Sequence, residues 1–315
     1  MKKAILNLLW GVIGILICIM PYNLAAQDST AIDYEKIAAI VVLDSFIVTA
    51  DRRGFEVEDF IRYVLDDESF YKAFKNLRKT NYTADNEITF YRPNGKQKAR
   101  YHSKTKQTYS QACRTMKIVE EQTEGKFYKK GGQYRYYTAE LYDRVFFTHG
   151  KVCESPTLTT PKNNSGRTQK NIAQLKQLVF HPGHRINVPL IGRRTAIFEP
   201  HMIPKYEYAI ISGELNGIDC YIFAIDVKPE VEHYSPQKTI IKHMETYFDK
   251  ENFQVMGRNY HLVYEGLAFS FDVWMDIKLT LNGDKYLPAE VSYNGKWSVP
   301  FYKREKARFK AIFDY

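Results

Sequence analysis

This 315-residue sequence carries no catalytic signature. It has no GxSxG, HExxH, Walker or GxGxxG pattern, which sets aside nucleophile-elbow hydrolases, zinc peptidases of that type, P-loop NTPases and dinucleotide enzymes. Cysteine is scarce: Cys18, Cys113, Cys153 and Cys220 are the four in the chain. None falls in a CxxC or zinc-ligand spacing, so neither a metal nor a cofactor is expected. No internal repeat is visible, which argues against solenoids. Beyond the N-terminal apolar run, no segment approaches the roughly 20 residues of a membrane-spanning helix. Mean hydropathy is −0.42, so the body of the chain reads as soluble. Acids are sparse in one region: between Lys72 and Arg135 sixteen Lys or Arg meet five Asp or Glu, enough to account for the whole net charge of +9.

What is present begins with an export signal. Lys2 and Lys3 precede a mostly apolar run from Ile5 to Met20, Pro21 breaks it, and "NLAAQDS" offers small residues for cleavage after Ala26. Ile17 occupies the place before Cys18 where a lipobox needs Gly or Ala. Residues 1–26 are therefore expected to be a signal peptide, and the product a soluble exported protein of the periplasm or outer-membrane surface; an uncleaved anchor is the alternative. The mature chain keeps three cysteines in an oxidising compartment. Cys220 lies in the apolar run "GIDCYIFAIDV" and reads as a small buried residue. Cys113 and Cys153 remain as the candidate disulfide. In an exported protein the basic region suits anionic lipid headgroups better than nucleic acid; a solvated, charge-studded sheet face is the plainer reading.

Hydrophobic residues make up 44% and aromatics 15%, enough for a sizeable, strand-rich core. Residues 27–80 read as a strand (37–50) followed by two amphipathic helices, 55–67 and 67–79, with Asp67 or Ser69 capping the second. Residues 81–315 read as mostly β. Asn94-Gly95 marks a hairpin. Short strands are expected at 114–119, 126–130 and 133–137, a helix at 138–147, a loop at 155–170 and a helix at 170–179. From Lys205 onward the pattern is a meander, 205–213, 218–228, 239–248, 253–264, 269–281, 286–293, 297–302 and 307–315, with turns at Asn282-Gly283 and Asn294-Gly295. No helix is read between successive strands there, so the sheet is expected to be antiparallel.

The longest alternation is "FSFDVWMDIKLTL". Every odd position from Phe269 to Leu281 is apolar, and every even one except Trp274 is polar. Thirteen alternating residues exceed the usual ~5–6 of a strand, and so long an apolar face must be covered. The strand ending "NGIDCYIFAIDVKPE" and the stretch "FDVWMDIKLTLNGDKYLPAEVSYNGKW" together resemble the LolA-type periplasmic lipoprotein-carrier superfamily, over roughly residues 200–315. The front half, with "FYKAFKNLR" and "PGHRINVPLIGRRTAIFEP", resembles exported bacterial proteins that close on a similar meander. The resemblance implies an α+β fold: a curved antiparallel half-barrel with N-terminal and inserted helices on its concave face, which receives acyl chains. Phe269, Phe271, Val273, Met275, Ile277, Val291, Tyr293, Phe309 and Phe313 would then line the ligand space. The competing reading is that the N-terminal helices fill that face completely.

Other candidates are weaker. His181 and His184 in "HPGH" fit a turn better than a metal pair. Asp272 and Asp276 lie on one strand face, roughly 13 Å apart along it, too far for a typical glycosidase pair. Arg185 and Arg258 could meet a headgroup, but no spacing singles them out. Two functions therefore stand: a non-enzymatic envelope protein that binds lipid or lipid-modified ligands in an apolar half-barrel, or an envelope scaffold with a filled core and a basic docking face.

Overall fold

The computed structural model describes residues 56–154, 177–186, 191–266, 270–298 and 303–315, and the backbone of 47–48. The loop expected at 155–170, most of the strand expected at 37–50 and the signal segment lie outside these residues. Only 177–179 of the helix expected at 170–179 fall within them, and they are helical, the turn running on to 180.

Two helices open the described chain. α1 (Val57–Asp66) turns Val57, Phe60, Ile61, Val64 and Leu65 to the interior. α2 (Ser69–Leu77) does the same with Phe70, Ala73 and Leu77. Between them Asp67 accepts hydrogen bonds from the Ser69 amide (2.8 Å) and hydroxyl (2.5 Å), satisfying donors that the first turn of α2 would leave open.

Twelve strands follow one another into a single open sheet among the described residues, in the order β1-β6-β7-β8-β9-β10-β11-β12-β2-β3-β4-β5. They are β1 (Ile47–Val48), β2 (Tyr82–Tyr91), β3 (Gln97–Ser110), β4 (Cys113–Gly125), β5 (Val152–Cys153), β6 (Tyr206–Leu215), β7 (Ile218–Val227), β8 (Ile241–Asp249), β9 (Val255–Glu265), β10 (Ser270–Asn282), β11 (Lys285–Ser298) and β12 (Glu305–Asp314). All pairings are antiparallel except β1 with β6. The meander closes by setting β12 against β2, which joins the N-terminal hairpins to the C-terminal strands. α3 (Tyr137–Phe146) lies between β4 and β5, α4 (Gly192–Thr195) before β6 and α5 (Pro229–Tyr234) between β7 and β8.

The sheet is curled. Arg258 in β9 sits under Phe70, its guanidinium 4.7 Å from the ring centre, while Gln107 in β3 donates to the Leu77 carbonyl (2.9 Å). Along α2 those two points are about 10 Å apart. Across the sheet from β9 to β3 they are separated by five strand spacings, roughly 24 Å. Both ends can meet the helix only if the sheet wraps around it. The architecture is thus an α+β, curved antiparallel half-barrel with helices on its concave face.

Three expectations are corrected here. Asn294-Gly295 is no turn: β11 runs unbroken from Lys285 to Ser298, and Gly295 pairs with Val273 on one side and Ala307 on the other. A Cβ at Gly295 would lie 2.6 Å from the Tyr293 hydroxyl and 2.9 Å from Val273, so the glycine serves close packing rather than a bend. A helix does separate two meander strands, since α5 stands between β7 and β8, yet the pair stays antiparallel. Finally, the short strands expected at 114–119, 126–130 and 133–137 resolve into one long β4 and a single bridge, Tyr128 to Tyr134. The "LP" of the meander, Leu287-Pro288, falls where the β10–β11 register shifts, a place where proline's missing donor is tolerated.

Candidate functional site

Strand pairing carries the β10 alternation across the whole sheet. One ladder runs Tyr260, Met275, Tyr293, Phe309, Ile88, Tyr101; the next runs Leu262, Val273, Gly295, Ala307, Phe90, Ala99. On either side lie Arg258, Ile277, Val291, Ala311, Asn86 and the row Tyr264, Phe271, Trp297, Glu305. Of the nine residues expected to line the ligand space, Phe271, Val273, Met275, Ile277, Val291, Tyr293, Phe309 and Phe313 all share this inner face. Phe269 lies outside the described residues.

The face is not covered evenly. At one end α1 and α2 close it. Phe60 packs edge-on against Tyr221 and Phe248. The Ser69 hydroxyl accepts from the Val255 amide (3.0 Å). Ile277 and Val291 there are only 2% and 3% exposed. Residues 177–180 continue the cover: Tyr260 donates to the Val179 carbonyl, and Phe180 meets Phe70 and Phe74. On the β12–β2 side α3 lies over the sheet, with Tyr142 5.0 Å from the Phe309 ring and its hydroxyl donating to Asn86 (2.6 Å). Between these covers Phe271, Tyr293 and Phe309 remain half-buried. Tyr293 stacks flat on Phe309 at 4.8 Å. Burial pushes its phenol up, and its hydroxyl has no hydrogen-bond partner among the described residues.

Two charged residues stand on this apolar face. Arg258 is fully buried and bonds Thr246 (3.1 Å) and Asp67 (3.5 Å). Glu305 accepts from the amides of Tyr137 (2.8 Å) and Thr138 (3.0 Å) and from the Thr138 hydroxyl (2.7 Å), so a sheet residue caps α3. Burial raises the Glu305 carboxyl above the ordinary range, although these three bonds pull the other way. Trp297 adds a bond from its indole nitrogen to the same hydroxyl. Sequence reasoning passed over both charges in their structural role, yet the signal was there. Extending the β12 alternation two residues back from Ala307 reaches Glu305, and the β9 alternation through Tyr260 and Leu262 reaches Arg258.

The other candidates are dispersed. His184 Nε2 donates to the Leu65 carbonyl (3.1 Å), its ring lies 6.4 Å from that of His181, and burial lowers His181. Between them Gly183, at φ +83°, lets the chain press against Phe198, so "HPGH" is a packed turn. No group of three His, Cys, Asp or Glu among the described residues is placed to hold a metal. Asp272 and Asp276 lie on the outer face. Burial works to raise Asp272, but His261 and Lys296 outweigh it and hold it low; burial raises Asp276. Trp274, between them, stacks on His261 at 4.0 Å. Arg185 is exposed. Cys113 and Cys153 are cross-strand partners on β4 and β5 and are joined as a disulfide, while Cys220 is free and buried.

No family model and no curated protein matches this chain. Among solved structures it is similar to a LolA superfamily protein from Nitrosomonas europaea (9% identity, 79% of this chain and 90% of that one, TM-score 0.22). It is also similar to a putative outer membrane lipoprotein-sorting protein domain from Vibrio parahaemolyticus (9%, 78% and 90%, TM-score 0.24). A DUF1329 family protein from Desulfovibrio piger gives 9%, 78% and 89%, with a TM-score of 0.23.

Proposed function

We propose that this chain is a non-enzymatic protein of the cell envelope that holds the apolar part of a lipid or lipid-modified ligand against the inner face of its half-barrel. One observation carries the reading. The inner face is apolar in register across the strands from β6 to β3, yet its covers leave Phe271, Tyr293 and Phe309 half-buried at one place. Aromatic rings with a Met beside them suit disordered acyl chains, because such contacts need area rather than fixed hydrogen bonds. The space for a ligand is the Phe271 end; Ile277, Val291 and Phe313 serve as its floor under the helices. The envelope location rests on the signal read at residues 1–26.

The test is Val273→Trp, in the middle of that end. Wild type is titrated with a fluorescent fatty acid and the variant is titrated alongside a thermal melt. Saturable binding by wild type, lost in a variant that still melts cooperatively near the wild-type temperature, supports the reading. If wild type binds nothing and the variant is destabilised by the ~1–3 kcal/mol of an overpacked core, the face is filled. The scaffold reading then replaces this one, favoured already at the Ile277 end by the close cover of α1 and α2.

A further inference from the structure

The cations that dominate residues 72–135 are joined in space by others far away in sequence. Ala307, Phe90, Ala99 and Gly125 are consecutive partners across β12, β2, β3 and β4. The chain just beyond each of them therefore gathers at one end of the sheet. That end carries Lys303, Arg304 and Lys306 from the start of β12, Arg92 and Lys98 from the β2–β3 hairpin, and Lys126 after β4. All six are exposed and none has an ion pair among the described residues. The strands that bear them span about 14 Å. The acids nearby are spoken for or turned away. Glu124 pairs with Arg100 (3.5 Å) and accepts from Gln97 (2.7 Å), and Glu305 faces inward onto α3. Glu265, exposed at the end of β9, lies four strands away from β2.

This basic end is also the half-open end of the inner face. The row Tyr264, Phe271, Trp297, Glu305 is the last one before the strands stop, and Lys306 and Lys303 flank its final member. Lys98 lies 5.3 Å from the centre of the Tyr136 ring and close enough to Glu305 to pull its carboxyl down against burial. The hydroxyl of Tyr136 is buried there without a hydrogen-bond partner among the described residues. Apolar residues that are incompletely covered, a buried hydroxyl without a partner and a cluster of unpaired cations thus share one rim.

We infer that the ligand is an anionic amphiphile whose acyl chains lie at the Phe271 end and whose headgroup rests on the rim formed by Lys98, Lys303 and Arg304. The inference rests on the lipid-binding reading above and adds the sign of the headgroup and the end at which it sits. Unpaired cations concentrate an anion most strongly where few acids compensate them, and the attraction is screened by salt.

The experiment compares diheptanoyl phosphatidylglycerol with diheptanoyl phosphatidylcholine, both kept monomeric, by calorimetric titration of the full mature chain. The partner variant replaces Lys98, Lys303 and Arg304 with Gln; all three are exposed, and a melt checks its fold. Wild type should bind the phosphatidylglycerol at least about tenfold more tightly at low salt, and the preference should vanish in the variant and fade at high salt. Binding of the phosphatidylcholine should not change. Equal binding of the two lipids by wild type overturns the headgroup assignment and leaves the half-barrel reading standing. A preference that survives in the variant overturns the rim. Binding to phosphatidylglycerol vesicles without binding of the monomer overturns it as well and makes the basic end a membrane-contact surface. No binding of either lipid in any form removes both readings.

Discussion

Arg258 and Asp67 fix how the helical hairpin sits on the sheet, and their removal gives the sharpest measure of that docking. The Arg258 side chain is 0% exposed and that of Asp67 6%, so both charges are out of water. Arg258→Met removes the guanidinium that faces Asp67, Thr246 and the Phe70 ring, and leaves a buried carboxylate with only its bonds to Ser69 and Phe70. Breaking one side of such a pair costs about 3–5 kcal/mol. Asp67→Asn keeps an acceptor for the Ser69 amide but strands the guanidinium, and should cost a similar amount. The double variant leaves neither charge unpaired. It should recover a large part of the sum, with a coupling energy of roughly 2–3 kcal/mol. At about 2–4 °C per kcal/mol for a chain of this size, each single change should lower the melting temperature by roughly 6–20 °C. Urea unfolding of the four proteins closes the cycle. Additive losses would refute the reasoning, because the hairpin would then be held by the burial of Phe60 and Phe70 alone.

Two other outcomes are expected. Glu305→Gln offers one acceptor and two donors where α3 presents three donors, and should cost about 1–3 kcal/mol. Because burial raises the Glu305 carboxyl in the folded state, the folded chain takes up a proton there at a higher pH than the unfolded chain does. That contribution favours folding below the ordinary carboxylate value and is lost as pH rises through the raised one. The Gln variant should therefore lose more, relative to wild type, at about pH 4 than at about pH 7 in paired denaturant titrations; the opposite order would show that Glu305 is stabilised as an anion. Replacing Cys113 and Cys153 by Ala opens a loop with a sequence separation of 40 and should cost about 4 kcal/mol by loop entropy, measured by urea midpoint. A change under about 1 kcal/mol would mean that β5 is held to the edge by the ladder alone.

How much of this could be read in the sequence depends on which interactions decide each element. α1 and α2 were legible because their apolar spacing is helical and Asp67 precedes Ser69 where a cap belongs. The meander strands were legible because one face is buried and period two is strict along them. Asn294-Gly295 misled because the dipeptide that makes a tight turn is also what close approach of side chains demands, and only the Tyr293 and Val273 contacts tell the two apart. The long β4 was hidden because it is exposed on both faces and shows no alternation. The closing pair, β12 with β2, joins residues more than two hundred positions apart. No local signal contains it.

That closing pair also explains why the candidate site is where it is. Setting β2 beside β12 puts a hairpin rich in Lys and Arg next to "KREK" at the start of β12, so the charge becomes a rim only once the chain ends meet. It also brings Asn86 and Phe309 beneath Tyr142, which seats α3 on that side of the half-barrel. On the other side Arg258 and Asp67 seat α2. Each cover is thus fixed by a polar anchor of its own, and the stretch between the anchors, where Phe271, Tyr293 and Phe309 stay half-buried, has none. A cover held by apolar contact alone could slide across that stretch. The α3 cover is held by Glu305 and by Tyr142 on Asn86, and the α2 cover by Arg258 on Asp67, so each is seated independently of the other.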